Sequence, residues 1–323
     1  MEYSILAFVL LILSAFAGTL EVEILDVGQG DSILIRSPEG KTVLIDGGTG
    51  KIDVVEYLKA REITEINLMV GTHAHADHIG GFDEVIEAFP VKVYIDNELP
   101  HTTRTYEKVM TLIEQKGIRY MTPKHGQLLN LGSEVTLEIL HPQITPLRNT
   151  RSDLNSNSIV IRLTHGKNCF LFTGDAEEPT EHSLLQKGLK TCNVLKVAHH
   201  GSNHSSTTNF LKAVKPEIAI ISLGLNNRYG HPGEDTMRRL ERTGAQIYRT
   251  DIQGTIKLIS DGEKITVSTE KPTLAVKSRE VGDVVASSDY TNTEITVKNA
   301  SDEQTEKFDL NTATSSQLQT IPG

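Results

Sequence analysis

Four potential metal ligands stand within six residues in His73-Ala74-His75-Ala76-Asp77-His78. Imidazole nitrogen and carboxylate oxygen together suit a divalent ion such as Zn2+ or Mn2+. Side chains alternate along an extended segment, so His73 and His75 point to one side. A turn into the helix read over Gly80–Phe89 then brings Asp77 and His78 toward a second point. That arrangement suits two ions a few ångströms apart, which activate a shared water and neutralise charge on the group under attack.

Further candidates lie far along the chain. Asp175 closes Thr173-Gly174-Asp175, His199 and His200 open His199-His200-Gly201-Ser202, and His231 stands in Tyr229-Gly230-His231-Pro232. Each follows an aliphatic run (Phe170–Phe172, Leu195–Ala198, Ile218–Leu223), and strand ends are where α/β sheets place their sites. Alone, Asp175 reads as a turn or cap aspartate and His231 as a loop histidine. Together with His73–His78 they describe one site assembled from several strand ends.

The elements that must carry these residues follow from apolar spacing. Strands are read at Glu21–Val27, Ser32–Ser37 and Lys41–Ile45, the last running into the turn Asp46-Gly47-Gly48. Ile66–Val70 delivers the chain to His73. Helices are read at Asp53–Arg61, Thr105–Lys116, Thr180–Leu189, Asn209–Val214 and Glu234–Arg242. More strands are read at Val91–Ile95, Leu128–Leu131, Val135–Leu140, Ser158–Leu163, Cys169–Thr173, Val194–Ala198, Ile218–Leu223, Ile247–Thr250 and Gly254–Ser260. Strands in two groups with interspersed helices predict an α/β sandwich of two sheets covered by helices.

Composition agrees with a folded chain that has a sizeable core. The 323 residues are 38% hydrophobic and 23% charged, with 16 Tyr and Phe but no Trp, so the core is mostly aliphatic. The net charge of −10 means that a polyanion needs a local basic patch or metal ions to approach. Two cysteines, Cys169 and Cys192, exclude a disulfide scaffold or a Cys-rich zinc site. Their pairing is left open by sequence, because it depends on distance in space.

The uncharged apolar run 3–20 ends in Ala15-Phe16-Ala17-Gly18, a small-x-small cleavage pattern. It predicts export, by a cleaved signal or a retained membrane anchor. Beyond Thr269 the chain turns polar, and 269–308 reads as a linker with one hairpin near Asp283–Val297. The catalytic unit is therefore read over 21–268.

His73-x-His75-x-Asp77-His78, with Asp46-Gly47-Gly48 upstream and Thr173-Gly174-Asp175 downstream, resembles the metallo-β-lactamase fold. More narrowly, Asp26-Val27-Gly28-Gln29-Gly30-Asp31, Asn157-Ser158-Ile159-Val160, Val197-Ala198-His199-His200-Gly201-Ser202 and Asn227-Arg228-Tyr229-Gly230-His231-Pro232 resemble ComEC-type competence proteins. The resemblance implies a four-layer αββα sandwich with a dinuclear centre, two Zn2+ or Mn2+ ions, between the sheets. It puts His73 and His75 on one ion and Asp77 and His78 on the other, with Asp175 bridging. His200 completes the second ion, and His199 faces substrate. Asp77 also handles the water's proton, and His199 or His231 serves the leaving oxygen. Asp46 and Asp31 orient the ligands from behind, and Asn157 and Ser202 contact substrate.

Many such proteins carry another histidine before the bridging aspartate. Here that stretch reads Leu154-Asn155-Ser156-Asn157-Ser158, and His165 sits in an apparent turn. The first ion is left with an open position, which suits phosphodiester cleavage better than a lactamase or glyoxalase. The expected function is a metal-dependent phosphodiesterase or nuclease acting on DNA, linked to DNA uptake or extracellular DNA processing. The alternatives are a hydrolase of another exported substrate (phosphorylcholine ester, lactone or β-lactam) and a DNA-capturing surface protein with a structural metal. Asp309–Gly323 is similar to the first half of a helix-hairpin-helix DNA-binding motif, as in ComEA-type proteins, and is incomplete as it stands.

Overall fold

A computed structural model describes residues 18–49, 53–132 and 134–272, and the backbone of 295–296 and 307–308. The chain divides into a unit up to Thr273 and a second unit from Leu274. In the second, Ile295–Thr296 pairs antiparallel with Lys307–Phe308. The rest of the hairpin expected near Asp283–Val297, the half motif at Asp309–Gly323 and all but the end of the apolar run 3–20 lie outside the described residues. Leu20, the last residue of that run, opens the first strand and is fully buried.

The first sheet collects β1 (Leu20–Ile24), β2 (Ile33–Arg36), β3 (Thr42–Ile45), β4 (Leu68–Val70), β5 (Val93–Ile95) and β6 (Arg119–Tyr120) in sequence order. The second sheet takes β7 (Gln127–Asn130), β8 (Val135–His141), β9 (Val160–His165), β10 (Asn168–Phe172), β11 (Val194–Lys196), β12 (Ile218–Ile221) and β13 (Gln246–Arg249), also in order. The chain then returns to the first sheet, where β14 (Ile256–Ser260) pairs with β1, and β15 (Ile265–Thr269) forms the edge. Sequence reading missed β15. Its residues alternate between half-buried and exposed, so the apolar signal is weak there.

Strand periodicity sorts the apolar residues into three layers of packing. Leu20, Val22 and Ile24 of β1 and Val43 and Ile45 of β3 face inward against Leu137, Ile161 and Phe170 of the other sheet. The opposite face, with Leu34, Leu44 and Met69, packs against α1 (Val54–Ala60), α3 (Phe82–Ala88) and α4 (Arg104–Gln115), and the short α2 (Ala76–Ile79) lies between α1 and α3 in the chain. Outside the second sheet, Leu171, Leu195 and Ile221 pack against α6 (Glu178–Gln186), α7 (Thr208–Val214) and α8 (Glu234–Glu241). Short α5 (Asp153–Ser156) and α9 (Thr250–Gln253) fill loops. Helix, sheet, sheet, helix is the four-layer αββα order expected.

Two local differences bear on the site. The helix read over Gly80–Phe89 is α3, which begins at Phe82, and a separate short helix, α2, precedes it, with Gly80-Gly81 between the two. Gly81 N donates to Gly48 O at 3.0 Å, and a side chain at Gly81 would strike the carbonyl of Gly47. The break thus lets the His73–His78 segment sit on the Asp46–Gly48 turn. The expected strand through Thr250 ends at Arg249, where Gln253 Oε1 accepts from the Arg249 amide and α9 begins. Cys169 and Cys192 form a disulfide closing a separation of 23 residues.

Candidate metal centre

β4 delivers the chain to Thr72 and His73, and His75 caps α2. Asp46 fixes this segment from beneath. Its carboxylate accepts from the Thr72 amide and hydroxyl, both at 2.8 Å, and lies 2.8 Å from His78 Nδ1. His78 is thereby oriented with Nε2 outward, 3.2 Å from Asp175 Oδ1. From the second sheet, β10 leads to Asp175 and β11 to His200. His200 Nδ1 donates to Ser222 O at 2.9 Å and lies 3.4 Å from Asp31 Oδ1. Its Nε2 then stands 3.4 Å from Asp77 Oδ2 and 3.6 Å from Asp175 Oδ1. A side chain at Gly30 would strike the Asp77 carbonyl, so glycine there lets Asp31 reach this cluster.

The two oxygens of Asp175 face different groups. Oδ1 meets His78 and His200, and Oδ2 lies 3.8 Å from His73 Nε2 and 3.6 Å from His199 Nε2. His73 Nε2 is 2.9 Å from His75 Nδ1. Two sets of ligand atoms result, His73–His75–Asp175 and Asp77–His78–His200, each gathered within 4.8 Å. His78 Nε2, His200 Nε2 and Asp175 Oδ1 are buried without a hydrogen-bond partner. Buried polar atoms are ordinarily satisfied, so three converging orphans fit a bound cation between them. The residues present therefore fit a pair of divalent ions.

The field of the cluster agrees. Asp31, Asp46, Asp77 and Asp175 gather round the imidazoles with one ammonium, that of Lys196. Burial opposes charge on His78, yet Asp175 and Asp46 hold its proton affinity well above the ordinary value. Burial opposes charge on His200 too, but Asp175 and Asp31 raise it to about 10. Desolvation would raise the Asp77 carboxyl, but its bond to His200 and the charge on His78 pull it below the usual carboxylate range. Burial holds His73 and His75 low. His73 and His75 are thus neutral and Asp77 ionised, the forms that bind metal, whereas His78 and His200 favour positive charge where the carboxylates converge, and a cation there would take the place of their protons.

A cleft of about 470 Å³ opens beside the cluster, lined among others by Arg151, Asn155, Glu177, His199, Ser202 and His231. His199 and His200 both take left-handed backbone conformations, with φ of 50° and 53°. Positive φ is rare outside glycine, and here it turns the two successive rings to opposite tasks. His200 enters the cluster, and His199 enters the cleft between Asp175, Asn155 (3.4 Å) and Glu177 (3.4 Å from Nδ1). His231 approaches His199 with ring centroids 5.6 Å apart. Burial, then the nearby His199 and His200, lowers the His231 imidazole to about 4.

The structure thus brings together His73, His75, Asp77, His78, Asp175 and His200, with Asp46 and Asp31 behind them and His199, His231 and Ser202 at the cleft. Asn157 is placed differently. Expected to touch substrate, it is fully buried and bonds its amide to Leu147 N, Leu147 O and Asp153 O. The residue of that segment facing the cleft is Asn155. His165 is remote from the cluster, and its Nδ1 bonds Ser260 Oγ at 2.9 Å. Glu177, Arg151 and Lys196 were missed. Only Lys196 carried a signal, as a lone cation inside the aliphatic run Val194–Ala198.

Residues 25–224 match the metallo-beta-lactamase superfamily, and the chain belongs to that superfamily. Among its relatives, it is 29% identical to ComE operon protein 3 of Bacillus subtilis over 77% of this chain and 34% of that one. It is 32% identical to Recombination protein 2 of Haemophilus influenzae (74% and 29% covered) and 32% to Competence protein ComA of Neisseria gonorrhoeae (73% and 32%). The chain thus spans about a third of the length of these curated relatives. Igni18, a metallo hydrolase of the archaeon Ignicoccus hospitalis, shares the fold at a TM-score of 0.51 and 16% identity, covering 74% of this chain and 98% of that one. Among the described residues no helix is long and apolar enough to cross a membrane.

Proposed function

We propose that this metallo-hydrolase is a phosphodiesterase that cuts DNA through two divalent ions, Zn2+ or Mn2+. The observation that carries the reading is Asp175, whose two oxygens face two separate histidine sets beside a polar cleft. When bound, the ions would supply an activated water and Lewis acidity toward phosphate oxygens. His73 and His75 would hold one ion, Asp77, His78 and His200 the other, and Asp175 would serve both. The Asp77 carboxylate would orient the attacking water and take up its proton. His199, held between Asp175, Asn155 and Glu177, faces the leaving oxygen, and His231 contacts the phosphate with Ser202. Arg151, exposed at the cleft mouth and 3.6 Å from Glu177, offers a cation to the next phosphate.

The competence and recombination relatives support a DNA substrate, in uptake or extracellular processing. Export through residues 3–20, as a signal or an anchor, fits the Cys169–Cys192 disulfide, because such bonds persist in oxidising compartments. Purified protein with Mn2+ or Zn2+ is expected to degrade end-labelled DNA and to hydrolyse bis(p-nitrophenyl) phosphate. EDTA and His75→Ala should each abolish both. Nitrocefin or lactone turnover without DNA cleavage would replace this reading with another hydrolase, and duplex retention without turnover with a DNA-capturing protein.

A further inference from the structure

Away from the metal centre, a groove of about 430 Å³ runs between α7 and α8. Four cations line it, Lys212, Lys215, Arg239 and Arg242, together with the Thr243 hydroxyl and no carboxylate. Lys212, Lys215 and Arg242 are exposed, and among the described residues none of them makes an ion pair. Cations at helix C-termini complement the helix dipole, which accounts for a lysine at the end of α7 and an arginine at the end of α8. It does not account for both helices turning these ends toward one shared groove. In a chain of net charge −10, such a concentration of unpaired positive charge attracts a polyanion.

Arg239 ties this groove to the cleft. Its guanidinium donates to Asn203 O, Ser205 O and Ser206 O at 2.8–3.1 Å, clamping the loop from behind. The other side of that loop, at Asn203 and His204, lines the cleft beside His199 and His231. One short loop therefore separates the basic groove from the site of cutting.

We propose that the groove between α7 and α8 seats the sugar-phosphate backbone of a nucleic-acid strand whose neighbouring phosphates lie in the metal cleft. This rests on the phosphodiesterase reading and deepens it, because it makes the substrate an extended strand and not a small ester. Lys212, Lys215 and Arg242 contact phosphates, and Arg239 positions the loop between the two sites. Phosphate contacts of this kind set affinity and register without reading sequence.

The test compares wild type with the triple variant Lys212→Ala, Lys215→Gly, Arg242→Ala. Glycine is chosen at Lys215 because φ there is 50°. Binding of a fluorescent single-stranded oligonucleotide is measured in EDTA across a salt series, and bis(p-nitrophenyl) phosphate hydrolysis is measured with metal. At about 0.7 released counterions per phosphate contact on a single strand, losing three contacts should lower the salt slope by about 2 and weaken binding roughly tenfold. Hydrolysis of the small ester should be unchanged, which also shows that the variant is folded. Lys212→Arg should retain the wild-type slope. Equal affinity and slope in the triple variant, or a wild type that does not bind the oligonucleotide, overturns the groove. Groove-dependent binding without any ester or DNA hydrolysis upholds the groove and sinks only the phosphodiesterase reading.

Discussion

Lys196 Nζ donates to Asp31 Oδ2 across 165 positions of sequence, and both side chains are 1% exposed. This buried pair stands behind His200, whose Nδ1 lies 3.4 Å from the other Asp31 oxygen. Burial would raise the Asp31 carboxyl, but Lys196 and His200 pull it down from 3.8 to about 2. A depressed carboxyl stabilises the fold at pH values above its unfolded-state value, and that stabilisation is lost as pH falls through about 2.

Lys196→Met leaves the Asp31 charge buried without its main partner, which should cost about 3–5 kcal/mol at pH 7. Urea denaturation of both proteins across pH checks this. The gap between them should narrow as acid neutralises Asp31, and a gap independent of pH would show that the pair does not act electrostatically.

Asn157 makes a different prediction from the one its sequence context suggests. Its amide makes three hydrogen bonds to backbone atoms of Leu147 and Asp153. Asn157→Ala should lower stability by about 2–3 kcal/mol, because the buried backbone groups lose their partners. KM for the small ester should stay near wild type at temperatures where the variant is folded. Asn155→Ala should do the reverse.

His231 should be neutral through the physiological range, since its imidazole is pushed down to about 4. A histidine with a lowered value charges only as pH falls below that value, so no change is expected between pH 5.5 and 8. Its ring proton shift in NMR should be flat over this interval. A titration centred near 6.5 would show that the cleft does not desolvate it.

The disulfide can be tested without touching the site. Chain-entropy loss for a 23-residue separation corresponds to about 3 kcal/mol. Reduction, or Cys169→Ser with Cys192→Ser, should lower the thermal midpoint by several degrees, and metal content should stay constant. Loss of bound metal on reduction would couple the bond to the centre.

The ligand cluster was legible because its members are rare residue types placed directly after aliphatic runs. His73–His78 follows β4, Asp175 follows β10, and His199-His200 follows β11. The layered fold was legible for the same reason, since strand alternation in β1 and β3 announces two packed faces. What stayed hidden depends on tertiary geometry. Glu177 resembles any acidic residue at the start of a helix, yet here it is 2% exposed against His199. Asn157 and Asn155 are two positions apart, and only the turn of α5 decides which faces the cleft. The edge strand β15 carries little apolar signal because one of its sides meets solvent.

The candidate ligands come from both halves of the sandwich. His73, His75, Asp77 and His78 hang from the first sheet, and Asp175 and His200 hang from the second. Cations held there would rivet the two halves across their seam, so the same ions that drive hydrolysis would also keep the halves in alignment. Chelation would then slacken the joint as well as silence the chemistry.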